Sequence, residues 1–203
     1  MRALLVVALL SNAVPALANH PEGEQLEEVT AAREPAFEPT DGVLPEAWLR
    51  TVDDGEFELQ DLSDRVVVLS FVPEKCGTSC AKQQQLLKEV QAELNVTPMR
   101  NMVTFVTVAP PWIPVLGGWD AANWRRATPA GNATTTGLAA ELEGAESSQD
   151  APAVHIINRG ARRAGIFRGV QFRPISMVLY INGLTNSHSH EDSLFERIMR
   201  WLR

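Results

Sequence analysis

The only two cysteines in the chain stand at Cys76 and Cys80, and their flanks constrain the fold more than any other feature. Before them runs Arg65 to Phe71 (RVVVLSF), an apolar, β-branched stretch of the kind found in strands covered on both faces. After them, Ala81 to Leu94 sets Leu86, Leu87, Val90 and Leu94 at helical spacing, with Lys82, Gln85, Lys88 and Gln91 between, which predicts an amphipathic helix. The segment reads as a buried strand that delivers a close thiol pair to the first turn of a helix. Free N–H groups and the helix dipole there favour a thiolate; Lys75 adds to that effect and Glu74 opposes it. At i, i+4 the sulfurs share one helical face and can close a disulfide. Reduced, they offer two soft donors to Cu(I) or to part of a zinc site.

Residues 1–18 read as an export signal. Arg2 is a short positive region, Ala3 to Leu10 (ALLVVALL) an apolar core, and Ala16-Leu17-Ala18 a cleavage site ahead of Asn19. The run is too short to span a bilayer and is broken by Ser11, Asn12 and Pro15. The expectation is a soluble exported protein, periplasmic or otherwise outside the cytoplasm, with no membrane span after cleavage. In an oxidising compartment a cysteine pair can be a mere staple. A loop closed over so few residues constrains the unfolded chain little, so a chemical role is the better reading. A formal charge of −7 argues against a nucleic-acid partner. Arg159, Arg162, Arg163 and Arg168 read as a solvated hairpin edge rather than a basic face.

Residues 19–47 are acidic and dotted with Pro21, Pro35, Pro39 and Pro45. They predict a flexible leader with one short helical turn near Glu24 to Arg33, ahead of a domain over 48–203. Phe57 and Leu59 alternate with Glu56, Glu58 and Gln60 as a half-exposed strand. Met102 to Ala109 is a second buried strand, and Pro110 to Gly118 a stiff loop. Asp120 to Ala127 reads as a short helix capped by Asp120, and Thr134 to Leu142 as another. Ala153 to Asn158 and Ala164 to Arg168 bracket Arg159-Gly160 as a hairpin. Pro174 opens a helix through Leu184, with a strand as the alternative, and Glu191 to Leu202 is a terminal amphipathic helix. Two apolar strands joined through a helix form a parallel unit that the hairpin extends antiparallel. The fold class is α/β, a thioredoxin-like three-layer sandwich with a mixed central sheet flanked by helices. Loops after parallel strands emerge on one edge, where ligands bind. That edge gathers Cys76, the loop carrying Trp112 and Trp119, and Pro152 ahead of the hairpin. Lys75, Pro152 and Trp112 are the expected lining of the thiol cleft. Asp150-Ala-Pro-Ala-Val resembles the segment in which thioredoxin folds hold a cis proline against their cysteines; an ordinary loop proline is the other reading.

The chain resembles the SCO/SenC family over about residues 55–170. Phe57-Glu-Leu-Gln-Asp-Leu-Ser-Asp-Arg, Val66 to Phe71 and Cys76-Gly-Thr-Ser-Cys80 look like its first half. Thr104-Phe-Val-Thr-Val-Ala-Pro110, Ile156-Ile-Asn-Arg-Gly160 and Gly165-Ile-Phe-Arg-Gly169 look like its second. The resemblance implies an exported thioredoxin-fold protein that uses Cys76 and Cys80 to deliver Cu(I) to, or reduce thiols at, a copper site of cytochrome c oxidase. A copper-site or thiol-containing acceptor, an oxidase subunit among them, is the implied partner. A general periplasmic thiol–disulfide oxidoreductase without metal is the alternative, and a binding domain with a permanent disulfide a weaker one. Three positions depart from the family pattern. Gly77 replaces a Pro, Ala109 replaces an Asp, and the family's third copper ligand, a loop His, has His155 as its nearest counterpart. His155 lies between Val154 and Ile156 in the expected strand, so a core or face residue is its alternative reading. His188 and His190 read as solvated loop histidines, and Met99 and Met102 as turn and core residues rather than ligands.

Overall fold

The computed structural model describes residues 23–51, 55–143 and 152–187. The export signal, residues 144–151 and the expected terminal helix lie outside them, as do His188 and His190. Eight strands form one mixed sheet: β1 (Phe37–Pro39), β2 (Trp48–Thr51), β3 (Gly55–Glu58), β4 (Val66–Phe71), β5 (Val103–Val108), β6 (Trp124–Pro129), β7 (Ala153–Asn158) and β8 (Arg162–Arg168). Their spatial order is β1-β8-β7-β4-β5-β6-β2-β3. Every residue of β4 and β5 is buried, as their unbroken apolar runs require of strands covered on both faces. They pair in parallel from Val66↔Val103 to Phe71↔Val108, and β7 pairs antiparallel to the other side of β4.

Helix α2 (Gly77–Asn95) covers one face with α4 (Pro174–Ser187), and α1 (Gly23–Arg33) packs beside α4. Leu87, Val90 and Leu94 meet Val66, Val68, Phe105, Val154 and Ile156 beneath them. Helix α3 (Thr135–Glu143) sits on the opposite face, over Val67, Leu69, Val106 and Val108. The α4 segment is helical, with Met177, Tyr180 and Ile181 fully buried. This arrangement is the three-layer thioredoxin-like sandwich expected from the strand and helix order.

Three expectations are corrected. The segment from Asp120 to Ala127 is not a helix: Trp124 to Pro129 form β6, parallel to β5. Asp120 does bond locally, accepting from Ala122 N at 3.0 Å, but it closes a turn, and the open edge of β5 then claims the backbone that follows. Gln91 does not face solvent: Gln83, Gln84 and Gln91 are all buried. Gln84 donates to Ser70 Oγ at 3.1 Å and accepts from Thr107 Oγ1 at 3.2 Å, so a polar side chain crosses the interface with its hydrogen bonds made. Gln91 similarly holds Asn123 Oδ1 at 2.8 Å and Asp120 N at 3.0 Å.

Residues 23–47 are likewise not a flexible leader in the described part of the chain. Helix α1 runs antiparallel to α4, with Leu26 against Gly183 and Glu34 against Arg173. β1 adds an edge strand to β8, and Phe37 enters an aromatic cluster with Phe167 and Tyr180. Burial alone would raise the Glu34 carboxyl. Hydrogen bonds from Arg173 N, Ser176 and Ala36 N outweigh it and hold the group below its ordinary value. Two glycines make this packing possible by omission of a Cβ. One placed on Gly183 would stand 2.5 Å from Leu26 Cδ2, and one on Gly165 2.7 Å from Phe37 Cζ. Gly165→Ala is expected to cost about 1–3 kcal/mol through overpacking, more than the roughly 0.4–1 kcal/mol gained by stiffening the unfolded chain. Urea denaturation checks the sign, and a net gain in stability would show that β1 is not seated on β8.

Candidate functional site: a disulfide at the mouth of helix α2

The sheet register assembles the site. β4 and β5 end level with one another, and Val72 N donates to Val108 O at 2.9 Å just beyond them. The chain then turns, with Cys76 N donating to Pro73 O at 3.2 Å, and enters α2. Cys76 occupies the N-cap position and Cys80 lies in the first turn. The two are joined as a disulfide with Cα atoms 5.5 Å apart. Gly77 has φ +56°, a left-handed conformation that a prolyl ring, locked near −65°, does not adopt. The departure from a C-P-x-x-C pattern is therefore a backbone requirement of this turn.

The two sulfurs have unequal surroundings. Cys76 is half-buried, whereas Cys80 is 2% exposed and packs with Val72 and Ala109. Cys80 Sγ lies 3.4 Å from the carbonyl oxygen of Phe71, an acceptor for the S–H that reduction creates. A partly exposed cysteine beside a buried one is an arrangement suited to thiol–disulfide exchange, in which a partner reaches the first before the second.

The loop after β5 closes the other side. Ile113 and Val115 pack against the cluster that holds Cys76 and Cys80. Trp112 points outward, 69% exposed, and its Nε1 donates to Glu74 Oε1 at 3.1 Å. Arg126 of β6 fastens the loop from beneath: its Nη2 donates to the carbonyls of Pro110, Pro111 and Ile113 at 3.1, 3.1 and 2.7 Å. Trp119 belongs elsewhere, stacked on Trp124 at 5.4 Å and near Phe105. Pro152 lies on the disulfide edge, since Ser70↔Val154 brings the start of β7 beside the end of β4. Its carbonyl accepts from Gly169 N at 2.7 Å, and Gly169 O accepts from Gln83, one turn beyond Cys80, at 3.3 Å. The peptide bond preceding Pro152 involves Ala151, outside the described residues. Lys75 is exposed beside Cys76.

His155 is placed differently. Val154 and Ile156 point into the core beneath α2, so His155, alternate on β7, faces the other side of the sheet with its register partner Leu69. The α2 cysteines and His155 therefore lie on opposite faces, and the structure does not bring it to them. It is 2% exposed, neither ring nitrogen has a hydrogen-bond partner, and Nε2 stands 4.0 Å from Glu143 Oε1. Burial, then the nearby charges of Arg163 and Arg168, push its pKa down to about 3. The imidazole is neutral near pH 7, and its approach to Glu143 is not an ion pair. Among the described residues no three His, Cys, Asp or Glu side chains gather as a metal-holding group.

Sequence reasoning missed Ile113, Val115, Arg126 and Gln83. The first two carry a faint signal, alternation within the proline-rich loop. Arg126 and Gln83 carry none, because their partners are backbone carbonyls that only the folded chain presents.

No family model and no curated protein sequence matches the chain. Solved structures do. The chain is similar to BsSco, a member of the Sco family of cytochrome c oxidase assembly proteins in which a disulfide switch has been identified. The TM-score is 0.59 at 12% identity, covering 73% of this chain and 97% of that one. A SCO1/SenC family lipoprotein from Bacillus anthracis str. Ames matches with TM-score 0.57 at 15% identity, over 73% and 98%. A DsbF homologue from Corynebacterium diphtheriae matches with TM-score 0.50 at 17% identity, over 73% and 93%. At these identities the likeness is one of fold, and the fold is thioredoxin-like. No helix among the described residues is long and apolar enough to cross a membrane.

The buried histidine makes stability depend on pH. Its folded pKa, about 3, lies below the unfolded value of 6.5, so the unfolded state takes up the proton first. The associated stability is complete above the unfolded value and is lost as pH falls towards the folded one, at about 1.4 kcal/mol per unit. Between pH of about 6.5 and about 5, denaturation should show a loss of roughly 2 kcal/mol that is absent in His155→Leu. An unchanged loss in that variant would assign it to other groups.

Proposed function

We propose that this chain is an exported thiol–disulfide exchange protein of Sco-like build, acting through Cys76 and Cys80 on a cysteine-containing acceptor protein. The observation that carries the reading is the asymmetry of the pair: one cysteine half-buried at a helix N-terminus, the other buried with its sulfur next to a carbonyl acceptor.

In the reduced protein the Cys76 thiolate attacks one sulfur of an acceptor disulfide. The Cys76–acceptor bond forms as the acceptor S–S bond breaks, and the departing sulfur takes a proton. Cys80 then gives up its proton and attacks Cys76 Sγ; the intramolecular disulfide forms, the mixed bond breaks, and the second acceptor sulfur is protonated. Two electrons pass to the acceptor, whose two sulfurs take one proton from solvent and one given up by Cys80, and the pair ends oxidised. A dithiol donor returns it to the reduced state. The helix N-terminus favours the first step by stabilising the Cys76 thiolate. In the reduced protein the Phe71 carbonyl offers the Cys80 S–H an acceptor.

Likeness in fold to Sco proteins supports an acceptor in which the cysteines themselves form a copper site, as in cytochrome c oxidase. A second reading takes Cu(I) as cargo held between the two reduced sulfurs. The soft donors and their closeness favour it; the position of His155 leaves the third donor to come from the acceptor or from outside the described residues.

The two readings separate in one set of measurements on the reduced protein. For exchange, Cys76→Ser abolishes reduction of a test disulfide, and Cys80→Ser accumulates a mixed disulfide through Cys76. Carriage instead appears as one-to-one Cu(I) binding that survives a strong chelator and is lost in either Ser variant. A pair that neither reduces a disulfide nor retains Cu(I) would leave only a structural staple and end both readings.

A further inference from the structure

Four side chains of the loop over the disulfide, Pro111, Trp112, Pro114 and Leu116, are exposed. A large aromatic side chain left 69% exposed ordinarily gains nothing from order, yet this one is held. Its Nε1 is bonded to Glu74, two residues before Cys76, which spans the two loops that flank the disulfide. Pro110, Pro111 and Pro114 remove backbone freedom. Arg126 ties down three loop carbonyls, and Ile113 and Val115 root the underside against the cysteine cluster. The result is a fixed apolar shelf at the lip of the reactive sulfur. Rigid aromatics of this kind anchor partners because little entropy is lost when they are covered.

We infer that Trp112 selects acceptors whose reacting cysteine is flanked by an apolar residue, receiving that residue on the shelf while the cysteine meets Cys76. The occupant is an extended, cysteine-bearing segment of the acceptor protein. Exchange forces this geometry. A bond must form to Cys76 Sγ, so the acceptor backbone lies across the mouth of α2. The Trp112 shelf is an apolar surface bordering that mouth, and it adjoins the charged, exposed Glu74 and Lys75. The inference rests on the exchange reading above and adds the acceptor's local chemistry.

The test uses peptides whose single cysteine is linked to a chromogenic nitrothiobenzoate, flanked by Phe and Leu in one series and by Gly and Ser in the other. Attack of the Cys76 thiolate on the peptide sulfur releases the aryl thiolate. Cys80 then closes the disulfide and frees the peptide thiol. Reduced parent protein should react roughly tenfold faster with the apolar-flanked series. That ratio should fall towards one in Trp112→Ala, remain largely in Trp112→Phe, and fall partway in Glu74→Ala, where the indole loses its tether. Equal rates for the two series in the parent protein, or a ratio that survives Trp112→Ala, would overturn the inference. Failure of the parent protein to reduce a small aryl disulfide at all would instead bring down the exchange reading, and the selectivity with it.

Discussion

The parallel pairing of β4 with β5 is the constraint on which the rest of the molecule depends. Its residues are buried on both faces, so a slip of one position would turn every side chain to the wrong layer. Holding Phe71 opposite Val108 makes the two strands end together, and the loops that leave them have nowhere to go but over one another. The disulfide and its apolar cover meet for that reason. One hydrogen bond, from Trp112 Nε1 to Glu74 Oε1, then ties the two loops to each other.

Polar groups then fix the details that apolar packing leaves loose. Gln84 is the clearest case, bonded to a serine on β4 and a threonine on β5 beneath α2. An apolar residue there would fill the space without specifying how the helix sits along the sheet. Arg126 does the same for the loop over the cysteines by answering three carbonyls at once. Both residues act at a distance from the sulfurs, and both hold the elements that present them.

The parts legible in the sequence were those where a local pattern and the tertiary environment agree. The β-branched run of β4, the stripe of α2 and the hairpin turn at Arg159-Gly160 all match the elements found. β6 was not legible because WRRATP has no strand alternation of its own and is recruited by the free edge of β5. A helical turn near Glu24 to Arg33 was legible and falls on α1, but its docking on α4 and the strand β1 were hidden for a related reason. Their attachment rests on a few anchors, Leu26, Glu34 and Phe37, and on the missing Cβ atoms of two distant glycines, none of which makes a periodic signal. Of the site, the two cysteines could be read from spacing alone. Strand order placed the loop carrying Trp112 on the same edge, but not which of its side chains meet the cysteines, because Ile113 and Val115 become their neighbours only through the register of the sheet. His155 shows the opposite case: its strand was legible, and strand alternation is what turns it away from the cysteines.

The antiparallel course of α1 and α4 has a practical meaning for the molecule's polarity. Glu34 and Arg173 meet near the disulfide edge, while Leu26 and Gly183 meet well down the same pair of helices. α4 runs about 20 Å from Pro174 to Ser187. Gly23 and Ser187 therefore both come out at the rim remote from Cys76, giving the described chain a handle at one pole and its chemistry at the other.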